Sequence, residues 1–359
     1  MRRKRNRNGV VIAALLSAIS VLFSAGARAD APPPTRYPAP ERIVVMSDIL
    51  GEFGLFVQLL REASLVDEDA NWIGGEAHLV ILGNVVGWGQ GVLPTFELIR
   101  RLESQAFRDG GRVHMLLGYG ELQLLHRDIA VVDKRNYQHL ATDDSDEKIE
   151  VFTERGVQEI IERMPESKYP ERLRNEYERM MTFEMNPGGV EFLELFAPGS
   201  DLGNWLRSRN VIIRIGDLIY SHGGLSPKYA DIPLEEINAE THAELEVDSL
   251  LLQKDIDIAH PAWWRELATK TEIEMQRVVE EVLKEHHARA MVVGVNQPRL
   301  STRDGLGGRA FYVDSGMRSH QMGHPEKRLS ALEIEGETYT LIWDDSRLTA
   351  ATPPPPPAD

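Results

Sequence analysis

Several stretches of this 359-residue chain carry polar side chains where a fold could gather them. Asp48 closes the apolar run Ile43-Val44-Val45-Met46-Ser47 and is soon followed by Gly51. Asn84 follows Gly83 at the end of His78–Leu82, in a turn that continues Val85-Val86-Gly87-Trp88-Gly89. Glu121 ends Gly118-Tyr119-Gly120-Glu121, after the run Arg112–Leu117. His222 stands in Ser221-His222-Gly223-Gly224-Leu225-Ser226-Pro227, and Arg265 follows Trp263-Trp264. His320 and His324, four apart, follow Asp314-Ser315-Gly316. Carboxylate, imidazole, amide and guanidinium groups at such turns are the kinds that hold metal ions or anions.

The elements that must position these residues are legible. Asp48, Asn84 and Glu121 each follow a β-rich run, and each turn leads into a helical pattern. The carboxyl edge of an α/β sheet is where a ligand crevice opens. Three such units at similar spacing predict one face on which three turns converge, in a layered α/β core over Ile43–Leu125. Residues 133–206 predict a mostly helical insertion, which either caps the site or only shields a sheet edge. Val211–Ile215 and Leu218–Ser221 predict a hairpin turning at Gly216-Asp217. Helical spacing at Glu235–Leu252 and Thr271–His287 precedes β-rich runs at Ala290–Val293, Ala310–Asp314, Leu329–Glu335 and Thr338–Trp343. The fold expected is therefore mixed α/β: two packed sheets flanked by helices.

Composition bounds the rest. Met1–Ala29 has a basic start, an apolar middle and Ala27-Arg28-Ala29 as a small-x-small cleavage site, the pattern of a secretory signal. An uncleaved anchor is the alternative. An exported chain, periplasmic or secreted, with no membrane span after cleavage is expected. Removing the six basic residues of that leader takes the net charge from −16 to −22, which repels nucleic acid and anionic membranes. With no cysteine, neither a disulfide nor a thiolate metal site can form. Residues 30–40, with five prolines in Ala31–Pro40, read as an extended linker, and 346–359, containing five consecutive prolines, as a disordered polyproline tail.

These turns resemble the calcineurin-like metallophosphoesterases, within them the phosphoprotein phosphatase branch, and most nearly the bacterial Shewanella-like phosphatases. The likeness runs from about Glu41 to Trp343, within a domain of residues 41–345, and implies the two-sheet β-sandwich of that family. The family reads Gly-Asp-x-His-Gly, Gly-Asp-x-x-Asp-Arg-Gly, Gly-Asn-His-Glu, His-Gly-Gly and a late Gly-His. The resemblance matches its first metal to Asp48, Leu50 and Asn84, and its second to Asn84, Tyr119, His222 and Val295. Asp48 and His222 are thus the remnant metal ligands, with Asn84 at the bridging position able to lend only a neutral amide oxygen. The general-acid position holds Gly120, the position of the Asp that orients it holds Gly87, and one phosphate arginine is replaced by Trp88. Arg265 matches the other phosphate arginine, and Glu121 remains in a supporting place.

What this implies is a catalytically impaired pseudophosphatase that binds no metal and uses the former cleft for a protein or a phosphorylated or other anionic ligand. One or two manganese, iron or zinc ions, in a hydrolase with a non-standard site, are the alternative. An envelope assembly factor that binds through the insertion and the tail is a third reading. The residues keep plainer readings too. Asp48 could cap a helix, His222 could bond backbone in its own turn, and Arg265 could pack over a Trp face. Trp88 and Tyr119 are expected to fill vacated space, and His286-His287 to face solvent. His320 and His324 could join Asp48 or His222 in a one-metal centre.

Overall fold

The computed structural model describes residues 32–163, 170–247, 257–294, 302–323, 329–343 and 346–357. The leader, Val295 and His324 lie outside the described residues. In chain order the described strands are β1 (Arg36–Tyr37), β2 (Arg42–Met46), β3 (His78–Ile81), β4 (Arg112–Met115), β5 (Ile212–Ile215) and β6 (Leu218–Ser221). They continue with β7 (Ala290–Gly294), β8 (Arg303–Gly305), β9 (Ala310–Val313), β10 (Ser330–Glu335), β11 (Thr338–Trp343) and β12 (Ser346–Thr349). Two six-stranded sheets result, β1-β5-β6-β7-β9-β8 and β12-β11-β10-β2-β3-β4. Both are mixed: β2, β3 and β4 run parallel, as do β6, β7 and β9, while β10 is antiparallel to β2.

The apolar run that opens the domain is buried on both faces, so it reads as continuous rather than alternating. Ile43 and Val45 join Ile213, Tyr220, Val292 and Phe311 in the layer between the sheets. Val44 and Met46 join Phe56, Leu59, Phe96 and Ile99 beneath the helices. Helices Phe53–Glu62, Val92–Arg108 and Tyr119–Leu125 follow β2, β3 and β4 respectively, each reached through one of the glycine turns. The two-sheet, helix-flanked architecture is the one the sequence predicts.

Among the described residues, 133–163 and 170–206 fold into helical pieces, the longest being Ser145–Arg163 and Pro170–Glu184. This segment seats on Val92–Arg108 through Phe96 against Phe196, 5.9 Å between ring centres, and through Trp205 Nε1 donating to Glu103 at 2.9 Å.

Three expectations need correction. The Pro-rich stretch before the domain is not a free linker: Arg36–Tyr37 pairs in parallel with β5, and Asn210 donates to the carbonyls of Pro33 and Pro34. An edge position suits such a stretch, because prolines there forfeit no ladder bond. Nor is the chain disordered from residue 346. Ser346–Thr349 pairs with β11, and the carbonyls of Pro353, Pro354 and Pro355 accept from Arg289 and Arg309. Finally, His287 is exposed but His286 is buried. It caps the carboxyl end of helix Glu272–Glu285, whose opposite end folds Thr271 and Glu274 into a capping box.

Candidate functional site

The first two turns are zipped together by their backbones. Asp48 N donates to Gly83 O (3.1 Å), Leu50 N to Asn84 O (2.9 Å) and Gly51 N to Val85 O (2.7 Å), and Gly89 N returns to Leu50 O (2.8 Å). A side chain on Gly89 would overlap the Gly51 carbonyl, and one on Gly83 would overlap the Gly118 amide. These glycines are therefore required by packing alone, whatever the site does. Asp48, Leu50 and Asn84 are held at φ of +56°, +55° and +54°. A left-handed conformation costs a non-glycine residue on the order of 1 kcal/mol or more, and the surrounding hydrogen bonds fix it here.

Glu121 is part of this zipper. Its side chain is wholly buried, and its two oxygens accept from the amides of Asn84 (2.8 Å), Gly118 (2.8 Å) and Val86 (2.9 Å). Burial pushes its pKa up against the opposing pull of those amides. Assigned from sequence as a supporting ligand-binding residue, it instead ties the second turn to the third.

Asp48, Asn84 and His222 meet in one buried cluster. Asn84 Nδ2 lies 2.9 Å from Asp48 Oδ1 and 2.9 Å from His222 Nε2, while Asn84 Oδ1 accepts from Gly120 N at 3.0 Å. The orientation of the amide follows from its surroundings. Turning it over would set its NH2 against the Gly120 N–H and its oxygen against the Asp48 carboxylate. With the NH2 pointing inward, both donors are spent, one on each neighbour. His222 Nε2 must then be an acceptor, so the ring proton sits on Nδ1, a buried atom without a well-aligned partner among the described residues. Burial lowers the pKa of this ring first; Asp48 raises it, Arg265 lowers it and the Leu82 carbonyl raises it. The imidazole is neutral at pH 7. The second oxygen of Asp48 accepts from Ser47 Oγ at 3.1 Å, and Ser47 N donates to Ser315 Oγ at 3.0 Å.

Two plainer readings fall away. Asp48 caps no helix, because Phe53–Glu62 begins at Glu52 without a side-chain cap. His222 turns its ring to Asn84 and only its backbone carbonyl to Gly294 N, at 2.8 Å. The plainer reading of Arg265 is present: its guanidinium lies 5.1 Å from the centre of the Trp263 ring. That ring packs at a tilt against Tyr119, 3.6 Å between centres and 52° between planes. Arg265 is exposed, and among the described residues no carboxylate forms an ion pair with it. Trp88 does not fill vacated space, being 65% exposed. Beside His222 lies a cavity of about 60 Å³ bounded by Gly223, Trp264, Arg265, Leu267 and Gly294. That is room for roughly two waters rather than an organic substrate, so a ligand would meet the rim at Arg265, Trp263 and Tyr119.

The residues present do not fit the metal pair of the resembling family. A dication needs lone pairs, whereas the group lying between Asp48 and His222 offers N–H donors. Among the described residues no three histidine or carboxylate side chains converge as ligands. His320 lies on the short helix Met317–Gln321, whose Gln321 donates to Leu50 O at 3.0 Å. Sequence reasoning offered the oxygen of Asn84 where the structure presents its nitrogen. It also missed Ser47 and Ser315. The signal for the first was available, since an asparagine between an aspartate and a histidine has acceptors on both sides for its NH2.

No family model matches the chain. It is 23% identical over 212 residues to Shewanella-like protein phosphatase 2 of Arabidopsis thaliana, covering 57% of this chain and 52% of that protein. It is 20% identical over 285 residues to Shewanella-like protein phosphatase 1 of Plasmodium berghei, covering 77% and 67%. The chain thus spans about half the length of the first relative and two thirds of the second. Among solved structures, a cold-active protein tyrosine phosphatase superposes with a TM-score of 0.66 at 23% identity, over 89% of this chain and 82% of that one. A structure of a cold-active protein-tyrosine phosphatase from a psychrophilic Shewanella species gives 0.65 at 24% identity, over 89% and 83%. The chain has the fold of these phosphatases and is similar in sequence to Shewanella-like protein phosphatases, the likeness its turns imply.

Proposed function

We propose that this chain is an exported pseudophosphatase, which binds a phosphorylated or similar anionic ligand at the rim of the cleft and does not hydrolyse it. The observation that carries the reading is the Asn84 amide, whose two N–H groups engage Asp48 and His222 where metal ligands would need to be free. The general-acid position is Gly120, whose amide is bonded to Asn84, and a glycine moves no proton in catalysis. Binding is supported by Arg265, an exposed cation over an aromatic face in a chain of net charge −16. A guanidinium so placed suits a phosphoryl group carried on a flat substituent. Export rests on the leader Met1–Ala29, and among the described residues no helix is long and apolar enough to cross a membrane.

The test uses the mature chain incubated with manganese, zinc or iron, followed by elemental analysis, turnover of an aryl phosphate, and calorimetric titration with phenyl phosphate. The expected result is no retained metal, no turnover, and phenyl phosphate binding that Arg265→Ala abolishes. About two metals per chain with turnover would overturn the pseudoenzyme reading. Absence of phenyl phosphate binding would overturn the ligand assignment.

A further inference from the structure

Beyond the cleft, one feature of the sequence has a defined place in the fold: the polyproline run near the carboxyl end. After β12 the chain leaves the edge of its sheet with Ala350 N bonded to Tyr339 O at 2.8 Å and Ala351 N to Asp304 at 3.2 Å. Two arginines of the other sheet then take up the proline carbonyls. Arg289 donates to Pro353 O (2.5 Å) and Pro354 O (3.4 Å), and Arg309 to Pro354 O (3.4 Å) and Pro355 O (2.6 Å). Arg289 precedes β7 and Arg309 precedes β9, so the tail spans from one sheet to the other.

The chemistry of the match is specific. A polyproline segment has no N–H groups and carries a row of unpaired carbonyls on a preordered backbone. Its complement is a set of fixed donors, which a planar guanidinium supplies. Arg289 is oriented by paired bonds to Glu337, both 2.9 Å. Gly308, at φ +85°, passes close beneath the tail, where an added Cβ would stand 3.1 Å from Thr352 O. Pro353 is buried.

We infer that Arg289, Arg309 and Gly308 form a polyproline-binding site whose occupant is this chain's own tail, Thr352–Pro357. The tail is a clasp closing the end of the sandwich remote from the cleft: it engages residues before β7, whereas Gly294, the last residue of that strand, is bonded to His222 O. While clasped, the carbonyls of Pro353–Pro355 are spent within the molecule and are not offered to a proline-recognising partner.

The test is a chain ending at Ala351, titrated with the synthetic peptide Thr352–Asp359 and followed by NMR. The peptide is expected to shift the signals of Arg289, Gly308 and Arg309 in the shortened chain. It should move the intact chain much less, because there the tethered tail competes at an effective concentration of about millimolar, and should leave a shortened Arg289→Ala, Arg309→Ala variant unmoved, because the donors are gone. A folded shortened chain that ignores millimolar peptide, or an intact chain that responds equally, would overturn the inference. Should the shortened chain fail to fold, the intact protein still decides: the Thr352 amide should be rigid by heteronuclear NOE and loosen when both arginines are replaced. A Thr352 already mobile in the parent would refute the clasp.

Discussion

Replacing Asn84 by Asp is the sharpest perturbation of the cluster. The Gly120 N–H keeps an acceptor, but both inward donors vanish and a second carboxylate comes against Asp48 at the present 2.9 Å amide contact. Losing a hydrogen bond to a charged group costs about 1.5–3 kcal/mol, and one to a neutral ring about 1. Two like charges some 4 Å apart add about 4 kcal/mol at an effective dielectric near 20. The sum, roughly 6–8 kcal/mol, is a large share of an ordinary domain's stability, about 5–15 kcal/mol. Protonating one carboxylate relieves the repulsion, because a shared site raises one pKa strongly. The folded variant then holds a proton that the unfolded chain releases, so its deficit should be greater at pH 8 than at pH 5. A dication does what the proton does: manganese at a hundredfold excess over its Kd restores about 2.7 kcal/mol. The assay is thermal unfolding of parent and Asn84→Asp at both pH values, with and without manganese. A metal-dependent rise confined to the variant is expected, on a midpoint lowered by on the order of 10 °C. An equal rise in the parent would refute the idea that the amide excludes metal, and an unperturbed variant at pH 8 would refute the contact itself.

Other outcomes follow from the same structure. Glu121→Ala orphans three buried amides and should cost about 3 kcal/mol or more in urea unfolding while leaving phenyl phosphate affinity intact; a ligand-binding loss without destabilisation would return Glu121 to the rim. Trp88→Ala should change stability by no more than about 0.5 kcal/mol, given its exposure, and a larger loss would mean that the ring fills a cavity after all. Burial lowers His78 and His260 to about 4, and burial, with help from His78 and Arg112, holds His114 well below its ordinary value. The native state therefore refuses protons that the unfolded chain binds near 6.5, so stability is full above pH 6.5 and falls as pH drops towards 4. Urea midpoints between pH 7 and 4 should show that fall, shallower in His114→Asn, and a flat profile would contradict it.

Much of this was legible because periodicity and turn chemistry are local. The run from Ile43 to Met46 declared a strand, and the glycine turns after β2, β3 and β4 declared their convergence. What the sequence did not disclose were decisions taken between distant residues. The inward NH2 of Asn84 depends on Gly120 N, 36 positions away, being present as a donor. The fate of the tail depends on Arg289 and Arg309, which nothing in a run of prolines announces. His286 looked solvent-facing because its helix is charged, yet its position at the helix end is buried.

The close approach of the turns also bears on whether hydrolysis could be restored one residue at a time. A Cβ on Gly87, the position matched to the orienting aspartate, would stand 2.7 Å from Leu50 Cα, and one on Gly120, the general-acid position, 2.9 Å from Val86 O. Both obstacles are backbone-anchored and cannot rotate aside. Asn84→Asp can therefore regain a cation without regaining a proton donor, because the charge needs no new space and the imidazole does. Metal binding without turnover is the expected phenotype of that variant. Turnover of aryl phosphate by the single substitution would mean that a proton donor other than position 120 is already in place, which would count against a site closed to catalysis by its own packing.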